Sequence, residues 1–188
     1  MTTRAAFVRE WRDCRKCPLH LNARHHVLFR GTIPADVLLI GEAPGKTEDK
    51  LGKPFIGRSG QVLSTAIQQL GLTSYCITNV VCCIPLTEDG GIRQPSKEEA
   101  ATCSPHLKQI IELCKPKLIA LLGNEPKKHL HASLIPPLSK LVLLRHPAFI
   151  LRRGGLNSVE FKRFLQTLAG ALEDARIPFT TPFHKIGV

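Results

Sequence analysis

An α/β fold, a three-layer sandwich with a central four-stranded parallel sheet flanked by helices, is predicted by three features of the sequence. Short apolar runs recur at wide spacing along the 188 residues, segments of helical length separate them, and each run stops at a small or polar residue. Strands alternating with helices in this way form a sheet covered on both faces.

The first run, Val37-Leu38-Leu39-Ile40, reads as a buried strand broken by Gly41. A helix is expected over 58–70, reached only through the Gly/Pro-rich stretch GEAPGKTEDKLGKPFIG. That connection, about 16 residues, is longer than strand-to-helix loops usually are, and long loops are often functional. The second run, Cys76-Ile77-Thr78, stops at Asn79. The helix expected over 96–114 has the clearest start, with Ser96 as N-cap and Glu99 three residues on completing a capping box. The third run, Leu118 to Leu122, passes through Gly123-Asn124 into a helix expected over 124–131. The fourth, Leu141 to Leu144, ends in Arg145-His146-Pro147, and a last helix is expected over 157–174. No repeat or low-complexity tract interrupts the pattern, and the length suits one domain over 1–188.

Lys and Arg number 26 against 15 Asp and Glu, a net charge of +11, which favours a polyanionic partner such as nucleic acid. No apolar run approaches the roughly 18 residues of a membrane span. The N-terminal stretch MTTRAAFVREWRDCRKCPLH has no continuous apolar core. The expectation is a cytoplasmic protein, monomeric and without a membrane partner. Seven cysteines, an odd number, argue against a disulfide framework. Cys14-Arg15-Lys16-Cys17 lacks the preceding strand of a thioredoxin-like redox motif, so metal or cluster ligation with two downstream cysteines is the better reading. Cys76 and Cys114 read as buried thiols.

In open parallel sheets the ligand lies beyond the carboxyl ends of the strands. Glu42, Asn79 and His146 each follow or end a predicted strand, so all three are expected on one sheet edge, around a shared pocket. Taken singly, Asn79 could cap a turn, His146 could satisfy a carbonyl, and Phe55 could be a core aromatic.

GEAPGKTEDKLGKPFIGRSG, ITNVVCC, RQPSKEEAATC and RHPAFILRR, in that order behind Cys14-x-x-Cys17-Pro18-Leu19, resemble the family 4, iron–sulfur uracil-DNA glycosylases over about residues 14 to 165. The resemblance implies a uracil-DNA glycosylase-like domain and hydrolysis of the N-glycosidic bond of uracil in single- or double-stranded DNA, a step of base excision repair. It makes Glu42 the carboxylate beside the reacting sugar, with Gly41 and Ala43 in the same motif. It sets Glu48 and Asp49 at the pocket wall, Phe55 stacked on the extruded base, Asn79 reading the polar edge of uracil, and His146 facing its O2. Leu151 is suitably placed as the wedge that fills the gap, with Arg152 and Arg153 for phosphates. Cys14, Cys17, Cys83 and Cys103 would hold a [4Fe–4S] cluster, making residues ~1–30 a cluster-binding segment; by the ligand chemistry alone zinc could use the same sulfurs.

The chain departs from the family pattern around its third ligand. Cys82 precedes Cys83, and Ile84-Pro85-Leu86 replaces the usual Arg-Pro-Pro. The loop LTEDGGIRQPS is longer, and Arg93 is its best candidate for a phosphate ligand. No His lies between Cys83 and Cys103, so covalent trapping of the sugar through a loop His is not expected. Two other readings stand beside uracil: another deaminated or C5-substituted base, with Glu48 as the discriminating residue, and a non-catalytic iron–sulfur DNA-binding module. Binding to RNA is allowed by the charge alone.

Overall fold

A computed structural model describes residues 2–180; residues 1 and 181–188, the ends of the expected 1–188 domain, lie outside the described residues. The four expected strands form one parallel set: β2 (Val37–Gly41), β3 (Tyr75–Asn79), β4 (Leu118–Leu122) and β5 (Lys140–Leu144). A fifth strand, β1 (Arg30–Gly31), adds an antiparallel edge, giving the order β1-β3-β2-β4-β5. Two residues carry no readable period, which is why the sequence pattern predicts four strands and the sheet has five.

Within β2, alternate residues point to opposite faces. Val37 and Leu39 join Leu63, Ala66, Phe164 and Leu168 in one core, under α3 (Arg58–Gln69) and α7 (Val159–Asp174). Leu38 and Ile40 join Phe7, Trp11, Leu107 and Ile110 in the other, under α1 (Arg4–Trp11) and α4 (Lys97–Cys114). This is the expected sandwich. The capping box of α4 forms as predicted: Ser96 Oγ accepts from the Glu99 amide at 3.2 Å, and Glu99 Oε2 accepts from the Ser96 amide at 2.8 Å.

Two short helices occupy stretches where loop is expected. The long connection after β2 contains α2 (Lys46–Leu51), and α6 (Pro147–Arg152) follows His146 directly; α5 (Asn124–His129) ends two residues early. Each has six residues, under two turns, too few for a hydrophobic period to show. The parallel register pairs Gly41 with Asn79 and Leu122 with Leu144, so strands β2 to β5 end level. Glu42, Asn79, Gly123 and His146 therefore emerge along one edge.

Candidate active site

At that edge lies a cavity of about 480 Å³, lined among others by Glu42, Ala43, Glu48, Phe55, Asn79, Ile92, Arg93, His146 and Arg152. It unites the three strand-end residues expected to converge.

Asn79 sits at its base, 1% exposed, and neither Oδ1 nor Nδ2 has a hydrogen-bond partner among the described residues. A buried amide left unpaired costs on the order of 1–3 kcal/mol per group, so such a side chain implies a ligand that supplies both a donor and an acceptor. The ring of Phe55 lies 5.9 Å from that of His146, centroid to centroid, tilted by 42°. Gly41 does not line the cavity; it makes room for what does. A Cβ there would stand 2.5 Å from both Asn79 Oδ1 and the Phe55 ring.

Phe55 is held in a left-handed conformation, φ 53°, which is unusual for a bulky residue and costs on the order of 1–3 kcal/mol. Several contacts impose it. Arg30, from β1, donates to the Pro54 carbonyl at 2.8 Å, the Phe55 carbonyl at 3.0 Å and Ser64 Oγ at 3.0 Å. Gly60 lets α3 start against this turn, since a Cβ would meet the Phe55 carbonyl oxygen at 1.9 Å. Glu48 closes the clamp: its Oε1 accepts from the amides of Ile56 at 3.0 Å and Gly57 at 2.7 Å. Glu48 thus lines the cavity as expected, with one carboxylate oxygen committed to the loop backbone.

His146 caps α6, its Nδ1 accepting from the Ala148 amide at 3.1 Å. Burial, assisted by the charge of Arg152, pushes its pKa down. The imidazole is accordingly neutral with its proton on Nε2, a hydrogen-bond donor. Glu42 is half-buried, and burial pushes its carboxyl pKa up; nearby Glu125 adds to this and Lys128 opposes it.

Three expected contacts are placed elsewhere. Asp49 is absent from the cavity: its Oδ1 accepts from the amides of Arg24 at 2.9 Å and His25 at 3.4 Å, tying α2 to the N-terminal segment. Arg93 does line the cavity, but its guanidinium is engaged with Glu99 through two bonds, at 2.8 and 2.6 Å, and donates to the Leu86 carbonyl at 3.1 Å. It is a brace for the loop, not a free phosphate ligand. Leu151 is half-buried and packs onto the core beneath α3 and α7, so it anchors α6 instead of projecting as a wedge. Arg152 borders the cavity; Arg153 sits over the Phe149 ring at 5.4 Å. Arg30, Gly60 and Ile92 escape sequence reasoning, because nothing in their local pattern tells a clamp or a rim from ordinary loop.

On the face of the sheet covered by α1 and α4, Cys14, Cys17, Cys83 and Cys103 are gathered together. Cys83 and Cys103 are buried, and Cys14 and Cys17 pack against the same core. Burial pushes the Cys17 and Cys83 thiols up; Cys103 and Cys14 add to the effect at both, and Cys17 adds to it at Cys83. Cys82 joins this group, with its Sγ 3.9 Å from that of Cys103. The N-terminal pair is held by histidines: the Cys17 carbonyl accepts from His20 at 2.6 Å and the Cys14 carbonyl from His26 at 2.7 Å. No three described His, Cys, Asp or Glu side chains are placed to hold a single metal ion. No described helix is long and apolar enough to cross a membrane.

Comparison with known proteins agrees with this architecture. Residues 29–169 match the family described as the Uracil DNA glycosylase superfamily. A Type-4 uracil-DNA glycosylase of Pyrobaculum aerophilum is 34% identical over 180 residues, covering 85% of this chain and 89% of that protein. Proteins of the same name from Saccharolobus solfataricus and Thermotoga maritima are 39% and 38% identical over 124 and 114 residues. Those alignments take in 64% and 60% of this chain and 56% and 57% of the relatives' own lengths. The match spans every strand of the parallel sheet and each residue that lines the cavity, and on that extent the chain belongs to the uracil DNA glycosylase superfamily.

Proposed function

We propose that this chain is a uracil-DNA glycosylase, hydrolysing the bond between uracil N1 and the deoxyribose C1′ in DNA. The single observation that carries the reading is the buried, partnerless amide of Asn79 inside the cavity that holds Glu42 and His146. Uracil offers N3–H and O4 side by side, so one Asn amide can pair with both. Cytosine presents the opposite polarity at those two atoms and would leave the amide unpaired.

A base within a duplex is out of reach, so the nucleotide must swing into the cavity, at a cost of a few kcal/mol. The extruded uracil would stack on Phe55, whose ring is fixed by the Arg30–Glu48 clamp. As the N1–C1′ bond breaks, positive charge grows on the sugar and negative charge on the departing base. Ionised Glu42 stabilises the first and orients the water that adds to C1′. The Nε2 proton of neutral His146 stabilises the second by donating to uracil O2, a preorganised electrostatic contribution. Water supplies hydroxide to C1′, the uracil anion takes up a proton, and an abasic site remains in the DNA.

The four gathered sulfurs suit a [4Fe–4S] cluster, which is held by four thiolates whose protons are released to solvent on binding. Cys14, Cys17, Cys83 and Cys103 would hold it, and it would join the N-terminal segment to the loop after β3. Glycosidic hydrolysis moves no electrons, so its contribution here is structural.

The test uses oligonucleotides carrying uracil, thymine, hypoxanthine or xanthine, with alkali to reveal abasic sites. Cleavage at uracil is expected, falling at least about a hundredfold in Glu42→Ala and in His146→Ala while DNA affinity persists. Parent-like rates in both variants would overturn the site assignment, and a preference for hypoxanthine would reassign the base. In the same preparations about four irons per chain are expected, lost in Cys17→Ser; a colourless, zinc-loaded parent contradicts the cluster.

A further inference from the structure

Of the residues expected to meet the DNA, Arg152 borders the cavity, but Leu151, the expected wedge, packs against the core and Arg93 is braced by Glu99. Another side chain stands in their place. Ile92 lines the cavity yet is 57% exposed, a large apolar group presented to solvent at the mouth of a polar site.

Its support is rigid. Residues 86 and 92 form an antiparallel bridge, and the Thr87 amide donates to the Gly91 carbonyl at 2.8 Å. The Gly90 amide donates to the Thr87 carbonyl at 2.9 Å, closing the turn. Next to Ile92, the Arg93 amide donates to the Pro85 carbonyl at 3.1 Å, and the Arg93 guanidinium anchors the hairpin to α4 through Glu99. The hairpin tip carries Glu88 and Asp89, so it is unsuited to phosphate; what it offers DNA is one fixed apolar side chain. Ala148 and Arg152 of α6 line the same cavity.

We infer that Ile92 is the wedge of this protein, entering the base stack to fill the gap left when the target nucleotide turns into the cavity. Apolar side chains inserted between base steps serve this purpose generally, because they replace the stacking lost on extrusion. The inference rests on the glycosylase reading above, and it makes Ile92 a positioning residue that never touches the reacting atoms.

A wedge matters only where there is a stack to hold open. Single-turnover rates of uracil release are therefore compared on duplex and on single-stranded oligonucleotides for the parent, Ile92→Ala, Ile92→Leu and Leu151→Ala. In Ile92→Ala the duplex rate is expected to fall about tenfold or more beyond any change on single strands, as loss of about two or three buried methyl or methylene groups implies. Ile92→Leu should restore the parent's duplex-to-single-strand ratio. Leu151→Ala should lower thermal stability and leave that ratio unchanged. A pyrene nucleoside opposite the uracil, which itself fills the gap, should rescue Ile92→Ala on duplex. Equal losses on both substrates make Ile92 a wall of the base pocket and overturn the wedge, as does an unchanged ratio. If the parent releases uracil from neither substrate, the glycosylase reading fails and the wedge fails with it, an outcome distinct from an unchanged ratio.

Discussion

The protonation of Glu42 is governed by burial and adjusted by two neighbours on α5. Burial raises its pKa first, Glu125 raises it further, and Lys128 pulls it down. Lys128 is itself paired with Glu125 at 2.6 Å, so the two partly cancel at Glu42. Glu125→Gln removes a negative charge and releases Lys128; both changes favour ionised Glu42 and lower its pKa. If ionised Glu42 is the form that works, activity is lost as pH falls through its pKa. The acid limb of the kcat/KM profile should therefore move to lower pH in Glu125→Gln, with the plateau at neutral pH retained. An acid limb that stays put or moves upward assigns it to a different group, and His146 is then the one to examine. The partnerless Asn79 and the neutral His146 ask the same of a ligand: donors and acceptors already aimed at it before it arrives, which is where preorganised sites derive their effect.

At the scale of elements, what was legible in the sequence follows from length and period. β2 and β4 are runs of five residues buried on both faces, and α4 runs for 18 residues behind a complete capping box; each is visible because its pattern repeats. β1, α2 and α6 span two to six residues and owe their form to tertiary contacts, Arg30 on the Pro54–Phe55 turn being the clearest case. The site divides in the same way. Glu42, Asn79 and His146 were legible because the level ends of a parallel sheet bring strand-terminal residues together whatever the loops do. The contacts of Asp49, Arg93 and Leu151 are not legible because each lies in a short helix or loop where the side chain's direction depends on its packing partner. For Arg93 that partner is Glu99, whose place in the capping box was foreseen while its second bond was not. Ile92 was invisible for the opposite reason: an isoleucine in a polar loop resembles any other until its exposure and its neighbours are known.

At the scale of the whole molecule, the N-terminal segment packs on the sandwich along the seam between α1 and α4. His106 lies at the centre of that seam, fully buried, its ring centroid 5.1 Å from Phe7 and 5.5 Å from Trp11. Neither ring nitrogen has a hydrogen-bond partner among the described residues, and burial pushes its pKa down to about 3. Trp11, beside it, gives its own Nε1–H to Gln109 Oε1 at 2.9 Å and not to the imidazole. The unfolded chain takes up a proton at this histidine below about pH 6.5, and the folded chain refuses it until near pH 3. Stability is thus intact above about pH 6.5 and declines as the medium is acidified from there, by at most about 1.4 kcal/mol per pH unit from this group. His106→Leu abolishes the difference in proton uptake and removes two unpaired polar atoms from the core. Its urea midpoint at pH 7 should equal or exceed that of the parent, and its decline between pH 6.5 and 5 should be shallower. Both are read from far-ultraviolet circular dichroism on parent and variant prepared in the same way. A His106→Leu protein that loses stability on acidification as steeply as the parent shows that the imidazole accepts its proton in the folded state and that the seam opens to water.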